Sequence, residues 1–230
     1  IFTIFIILIT PERVRDGRLW YAPWLFPGQH GAMAGLSTSG TLTHWFRENF
    51  ARELPPETAV IALTKEAEAS PPGAKGLVLL PYFSGERTPI HDTKAKGILF
   101  GLDLTHTRAD MFRAVLEGIA HGTRHVFDTY AEAGQAPRAI YAVGGGTKNR
   151  VWTEATSDIS GMTQVLRQKT IGASYGDAFL AALALGDVTA ADLDRWNPVA
   201  SSIAPKPELK PMYDRQHAVF RGLYPATKSF

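Results

Sequence analysis

The sequence predicts an α/β fold, a mixed and partly parallel sheet flanked by helices, and three observations carry that prediction. From Ala139 onward, segments of strand and helix character alternate: a strand to Val143, a helix from Asn149 to Gly161, a strand from Thr163 to Arg167 and a helix from Ala173 to Leu185. Alternation of this kind lays successive strands side by side with helices covering the sheet. Before it, Met111, Phe112, Val115, Leu116, Ile119, Val126, Phe127 and Tyr130 line one face of a long helix from Arg108 to Ala133. The composition, 45% apolar and 20% charged over 230 residues, is that of a globular chain with one sizeable core or at most two small ones.

Taken in order, Ile1 to Ile9 is rich in Ile and Phe and reads as a buried strand; Arg15-Asp-Gly-Arg18 supplies a tight hairpin turn into an aromatic strand, Leu19 to Phe26. Pro27 to Gly31 reads as loop. Leu42, Trp45, Phe46 and Phe50 follow Ser39-Gly40 at helical spacing. Pro55-Pro56-Glu57 opens another short helix, with Pro56 near its first position, and Pro71-Pro72-Gly73 ends it before a strand from Gly76 to Phe83. Thr107 and Asp110 have capping-box spacing at the start of the long helix, Asp standing in for the usual Glu, and Gly134 stops it. A Pro-rich tail leads to a closing helix from Met212 to Leu223.

Charge and cysteine content narrow the partners. Lys and Arg number 24 against 22 Asp and Glu, a formal charge of +2, and the basic residues are scattered, so the footprint of a nucleic-acid binder is missing. The opening apolar run is about half of what a bilayer span requires, so no membrane partner is expected. The chain has no cysteine, hence no disulfide or thiolate metal site, which fits a cytoplasmic location.

Several residues could carry chemistry. Gly144-Gly145-Gly146 follows a strand and precedes a helix that Asn149 could cap; glycines admit close backbone approach, and the amides of a helix start favour an anion such as a nucleotide phosphate. A plain strand-to-helix turn is the commoner use of such a pattern. Ala173, Gly176, Ala178 and Ala181 suit close packing of a helix on a neighbour, and Asp177 reads as a surface charge or a helix-start acid. His121 and His125 are four apart, a spacing that can bind zinc, but no third ligand is nearby, so a core or surface role is expected. No G-x-S-x-G elbow of a hydrolase occurs.

The stretch from Leu80 to Leu102, with Gly85-Glu86-Arg87-Thr88-Pro89 inside it and the long helix directly after, resembles the signature region of the FGGY carbohydrate kinases, most closely the xylulokinase-like members. Gly97, Gly101 and Leu102, followed by Asp110, Met111, Ala114, Val115, Leu116 and Glu117, match the family's spaced glycines, acidic or amide residue and short apolar run. The resemblance implies an actin-like ATPase (ribonuclease H-like) domain, with residues 1–230 as the C-terminal, nucleotide-binding lobe of a two-lobe kinase. It implies ATP and Mg²⁺ as cofactors and a sugar as substrate, xylulose first, ribulose next, with glycerol and other polyols behind. In the nucleotide site it places Gly145 of the Gly144–Gly146 turn and Asn149 after it, and Gly40 with His44 at the start of the helix that carries Trp45. The Glu86-Arg87 loop is expected to be tied into hydrogen bonds near the lobe interface. The catalytic aspartate and the phosphate-holding hairpin are expected in an N-terminal lobe absent from this chain, which alone should be inactive. Without its partner lobe, apolar surface would be exposed and self-association is open. The rival reading is a non-catalytic actin-like module that binds nucleotide or sugar.

Overall fold

The computed structural model describes residues 3–230, and its organising element is one long helix against which the N-terminal sheet and four other helices pack. In chain order the elements are β1 (Ile4–Thr10), β2 (Trp20–Pro23), β3 (His30–Leu36), α1 (Gly40–Phe50), α2 (Ala59–Glu68), β4 (Val78–Leu80), β5 (Ile98–Phe100), α3 (Arg108–Glu132), β6 (Ile140–Ala142), α4 (Arg150–Ser160), β7 (Gln164–Arg167), α5 (Ala173–Leu185), α6 (Leu193–Trp196), β8 (Val199–Ile203) and α7 (Lys210–Thr227). The sheet of the second half is partly parallel, as expected: β6 pairs parallel with β7, and β8 closes it antiparallel.

The first sheet departs from expectation. Its order is β1-β3-β2, so β1 and β2 do not form a hairpin. A strand at His30–Leu36, beginning where the sequence reads as loop, lies between them and pairs antiparallel with both. Its small residues explain the placement. A Cβ at Gly31 would stand 3.1 Å from the Trp24 ring, and one at Gly35 3.0 Å from the Ile4 carbonyl oxygen of β1, so the middle strand makes room for an aromatic on one side and the neighbouring backbone on the other. The Arg15–Arg18 turn is used differently: Arg18 pairs with Asp16 at 2.7 Å and with Glu132 of α3 at 2.6 Å, fastening the connection to the long helix. Nor is β1 fully buried. Ile4, Ile6 and Leu8 face the core, while Phe5, Ile7 and Ile9 on the other side are exposed. Ile1 and Phe2 of the expected strand lie outside the described residues.

The α3 helix forms as its sequence dictates. Thr107 Oγ1 accepts from the Asp110 amide, and the Asp110 carboxylate accepts from the Thr107 amide at 2.8 Å, a complete capping box. Asp110 also accepts from Ser70 Oγ at 2.7 Å and Lys75 Nζ at 3.0 Å; against the cost of burial, the Thr107 amide and then these two donors hold its carboxyl below the usual range. Phe112, Val115, Leu116, Ile119 and Val126 form the centre of the core. At Gly118 the backbone approaches β4 so closely that a Cβ would lie 2.5 Å from the Leu79 carbonyl oxygen. His121 and His125 take the core reading: both are buried between α3 and α7, where His121 Nδ1 lies 3.2 Å from His217 Nδ1 and His217 Nε2 donates to Asp128 at 2.8 Å.

Further corrections are local. The strand expected from Gly76 to Phe83 is reduced to β4, because Gly76 has φ +97 and the residues after Leu80 turn away into the Glu86 loop. Pro55 and Pro56 precede α2 as a turn instead of opening it. The closing helix is longer than expected at both ends. The α5 helix has the expected bounds, but its small residues Ala173, Gly176, Ala178 and Ala181 are exposed; Phe179 is its buried anchor, and Asp177 is a surface charge.

Candidate functional site

Two helix starts with open glycines define the candidate site. At the first, β6 runs into Gly144, whose φ of +98 turns the chain. The Gly144 carbonyl accepts from the Thr147 amide at 3.2 Å and from Thr147 Oγ1 at 2.7 Å, and the Gly146 carbonyl accepts from the Asn149 amide at 3.0 Å. The turn is therefore braced from inside. Outside, the two inner glycines differ. A Cβ at Gly146 would sit 3.0 Å from the Trp152 ring, whereas one at Gly145 would meet nothing within 4 Å. Gly144 also meets nothing within 4 Å, so the turn's backbone is open at Gly144 and Gly145, and Gly146 is a packing requirement.

Asn149 caps α4 through Oδ1, which accepts from the Trp152 amide at 3.1 Å, and its Nδ2 donates to Thr64 Oγ1 of α2 at 2.8 Å. The side chain is oriented by these two bonds. It keeps a second Nδ2 hydrogen and a second Oδ1 lone pair with which to meet a ligand. The first turn of α4 carries no acidic residue, and Lys148 and Arg150 flank the cap, so the positive end of the helix dipole is left uncompensated by its own sequence.

At the second helix start, Gly40 opens α1 behind Ser39, again with nothing within 4 Å of a built Cβ and no acidic residue in the first turn. His44 is exposed one turn further on, on the face shared with Gly40. The helix is anchored by aromatics. Trp45 meets the Phe83 ring at 4.8 Å and Phe46 meets Phe112 of α3 at 5.1 Å. The two starts are connected through α2, which packs against both α1 and α4 and supplies Thr64 to Asn149. Thr64 and Trp152 were not expected from sequence; nothing in their spacing marks them, since both act through the fold.

The Glu86 loop is tied as expected. Glu86 Oε1 accepts from the Ser37 and Arg87 amides, each at 2.7 Å. The fold is that of an actin-like ATPase domain, shared with solved sugar kinases. The sequence model of the FGGY family of carbohydrate kinases, C-terminal domain, matches residues 3–185, and this chain belongs to that family. Xylulose kinase of Bacillus subtilis is 30% identical over 192 residues, covering 83% of this chain and 38% of that protein. Gluconokinase of the same organism is 30% identical over 205 residues, covering 86% of this chain and 39% of that protein. The crystal structure of xylulose kinase from Rhodospirillum rubrum superimposes with a TM-score of 0.90 at 32% identity, covering 99% of this chain and 46% of that one. The chain spans less than half the length of these relatives. Among the described residues, no helix is long and apolar enough to cross a membrane.

Proposed function

We propose that this chain is the nucleotide-binding lobe of a cytoplasmic two-lobe kinase that transfers the terminal phosphoryl group of ATP to a hydroxyl of a sugar, with xylulose the first candidate and ribulose the next. The observation that carries the reading is the open backbone at Gly145, set between a strand and a helix whose first turn has no acidic residue. Such an arrangement offers amide donors and a favourable dipole to phosphate while leaving room for close approach. Gly40 and His44 repeat the arrangement at α1, and Asn149, fixed by Thr64 and the α4 cap, adds a directed amide. The xylulose kinase and gluconokinase relatives support a sugar acid or ketose as acceptor, and several of them are xylulose kinases.

Phosphoryl transfer also requires charge neutralisation by Mg²⁺ and a base for the hydroxyl proton. Among the described residues no group of three or more His, Asp or Glu side chains could hold a metal ion. Mg²⁺ is proposed to enter as MgATP, bound through the phosphates, and the base to come from the partner lobe of the same enzyme. This chain's part is to bind and orient the nucleotide.

Calorimetric titration of the chain with MgATP, with xylulose in parallel, tests the reading. Binding of MgATP is expected, and Gly145→Val should weaken it about tenfold or more by filling the approach to the turn. Equal affinity in a folded variant would remove Gly145 from the site. ATP-dependent phosphorylation of xylulose or ribulose by the 230-residue chain alone would overturn the division of labour between lobes.

A further inference from the structure

The turn that leads from β3 into α1 is held from across the fold by one carboxylate. Glu86 is 3% exposed, and its Oε1 accepts the amide of Ser37, three residues before Gly40. Its own backbone is locked by reciprocal bonds with Asp92, at 2.8 and 3.0 Å. A second stitch lies beside the first: the Thr88 amide donates to the Gly35 carbonyl at 3.2 Å. The cap residue Ser39 has φ −149 and ψ −99. Glu86 grips the backbone two residues before that cap.

That grip is built at a cost a plain clasp would not need. Glu86 Oε2, Thr38 Oγ1 and Thr88 Oγ1 are all buried without a hydrogen-bond partner. A neutral amide at position 86 could accept the same two bonds with a smaller desolvation penalty. A carboxylate instead binds an amide hydrogen more strongly once it is ionised. We propose that Glu86 is a positioning residue for the nucleotide site, acting through the Ser37 amide to aim the first turn of α1, with Gly40 and His44, at the nucleotide. The proposal rests on the nucleotide reading given above.

Burial pushes the Glu86 carboxyl up to about 7, against the Ser37 and Arg87 amides, the Ser37 hydroxyl and the Arg87 charge, which lower it. The other ionisable groups facing it are Tyr82, on the segment after β4, and Asp92, in the paired turn; the Ser37–Gly40 segment contributes none. The grip on Ser37 should accordingly strengthen as pH rises through neutrality.

MgATP titrations of the wild type, Glu86→Ala and Glu86→Gln, with amide NMR spectra reading Ser37 and Gly40, test this. Glu86→Ala should weaken MgATP about tenfold, and Glu86→Gln, which keeps an acceptor, should stay within about threefold of the wild type. The Ser37 amide resonance should move with pH near neutrality in the wild type and stay fixed in Glu86→Gln. The wild-type affinity should rise over the same range relative to Glu86→Gln, a ratio in which ATP's own titration cancels. If Glu86→Ala does not fold, the pH profile of Glu86→Gln decides alone. A wild type that binds MgATP with the same pH profile as Glu86→Gln, or no tighter than folded Glu86→Ala, overturns the positioning role and leaves the nucleotide reading standing. A wild type that binds no MgATP overturns that reading, and the proposal with it.

Discussion

α3 and α5 carry glycines in their interiors, but the two helices use them in opposite ways. In α3, Gly118 lies against the Leu79 carbonyl with no space for a methyl group, and nearly every side chain from Phe112 to Tyr130 is buried. In α5, a Cβ at Gly176 would meet nothing within 4 Å, and Phe179 is the buried residue, clasped with Tyr175 by Trp196 at ring separations of 5.6 and 5.7 Å. The sequence of α5 is nevertheless strongly apolar, from Ala173 through Leu185. What a helix buries is decided by what the fold sets opposite it, and composition alone says little about that.

The comparison can be broken by acid, by a methyl group in α3, or by one in α5. The largest effect is expected from acid, because the α3–α7 interface holds His121, His125 and His217 and the surface of α5 holds no comparable group. Burial lowers all three histidines, His125 to about 4, with Arg221 and Arg124 adding to the effect and Asp128 opposing it. A base lowered in the folded state stabilises fully above its unfolded value near 6.5, and the stabilisation is lost as pH falls from there towards the folded value. Chemical denaturation should therefore show a loss on the order of 3 kcal/mol between pH 6.5 and 4, and hydrogen exchange should place it at α7. His125→Leu, which removes a buried Nδ1 without a partner, should shrink that loss; an unchanged pH dependence would remove His125 from the account.

Gly118→Ala is next. It should destabilise by about 1–3 kcal/mol, since the Leu79 carbonyl belongs to a packed strand and cannot move aside freely. A midpoint within error of the wild type would mean that β4 yields. The smallest effect is expected at Gly176→Ala, in the opposite direction: a gain of about 0.5–1 kcal/mol from helix propensity, with no clash to offset it. A loss there would mean that the outer face of α5 is covered in solution.

Much of this contrast was legible in the sequence, and the illegible part has a physical cause. The apolar period of α3, its Thr107–Asp110 start and its Gly134 stop are local patterns, and local bonds satisfy them. The Gly144–Gly146 turn and the Asn149 cap are likewise contained within a few residues. β3 is not evident in the sequence because Gly31, Ala32, Ala34 and Gly35 have weak strand preference by themselves; the smallness of Gly31 and Gly35 makes sense only once Trp24 and the β1 backbone lie alongside, a non-local pairing. β8, with Ala200, Ser201 and Ser202, was missed for the same reason. In the site, Gly145 could be named from the sequence, but Thr64 behind Asn149 and Ser37 under Glu86 are joined by bonds spanning 85 and 49 residues, which no short motif records.

The Tyr130 hydroxyl lies 3.0 Å from the carbonyls of Ile6 in β1 and Ala32 in β3, sharing its hydrogen between two strands from the far end of α3. Mechanically, this is a rivet between the first strand and the longest helix. Tension applied to the chain through β1 would be passed to α3 instead of peeling the strand away residue by residue. In a pulling experiment the N-terminal sheet and α3 should consequently rupture together, as one event, and Tyr130→Phe should split that event into two of lower force.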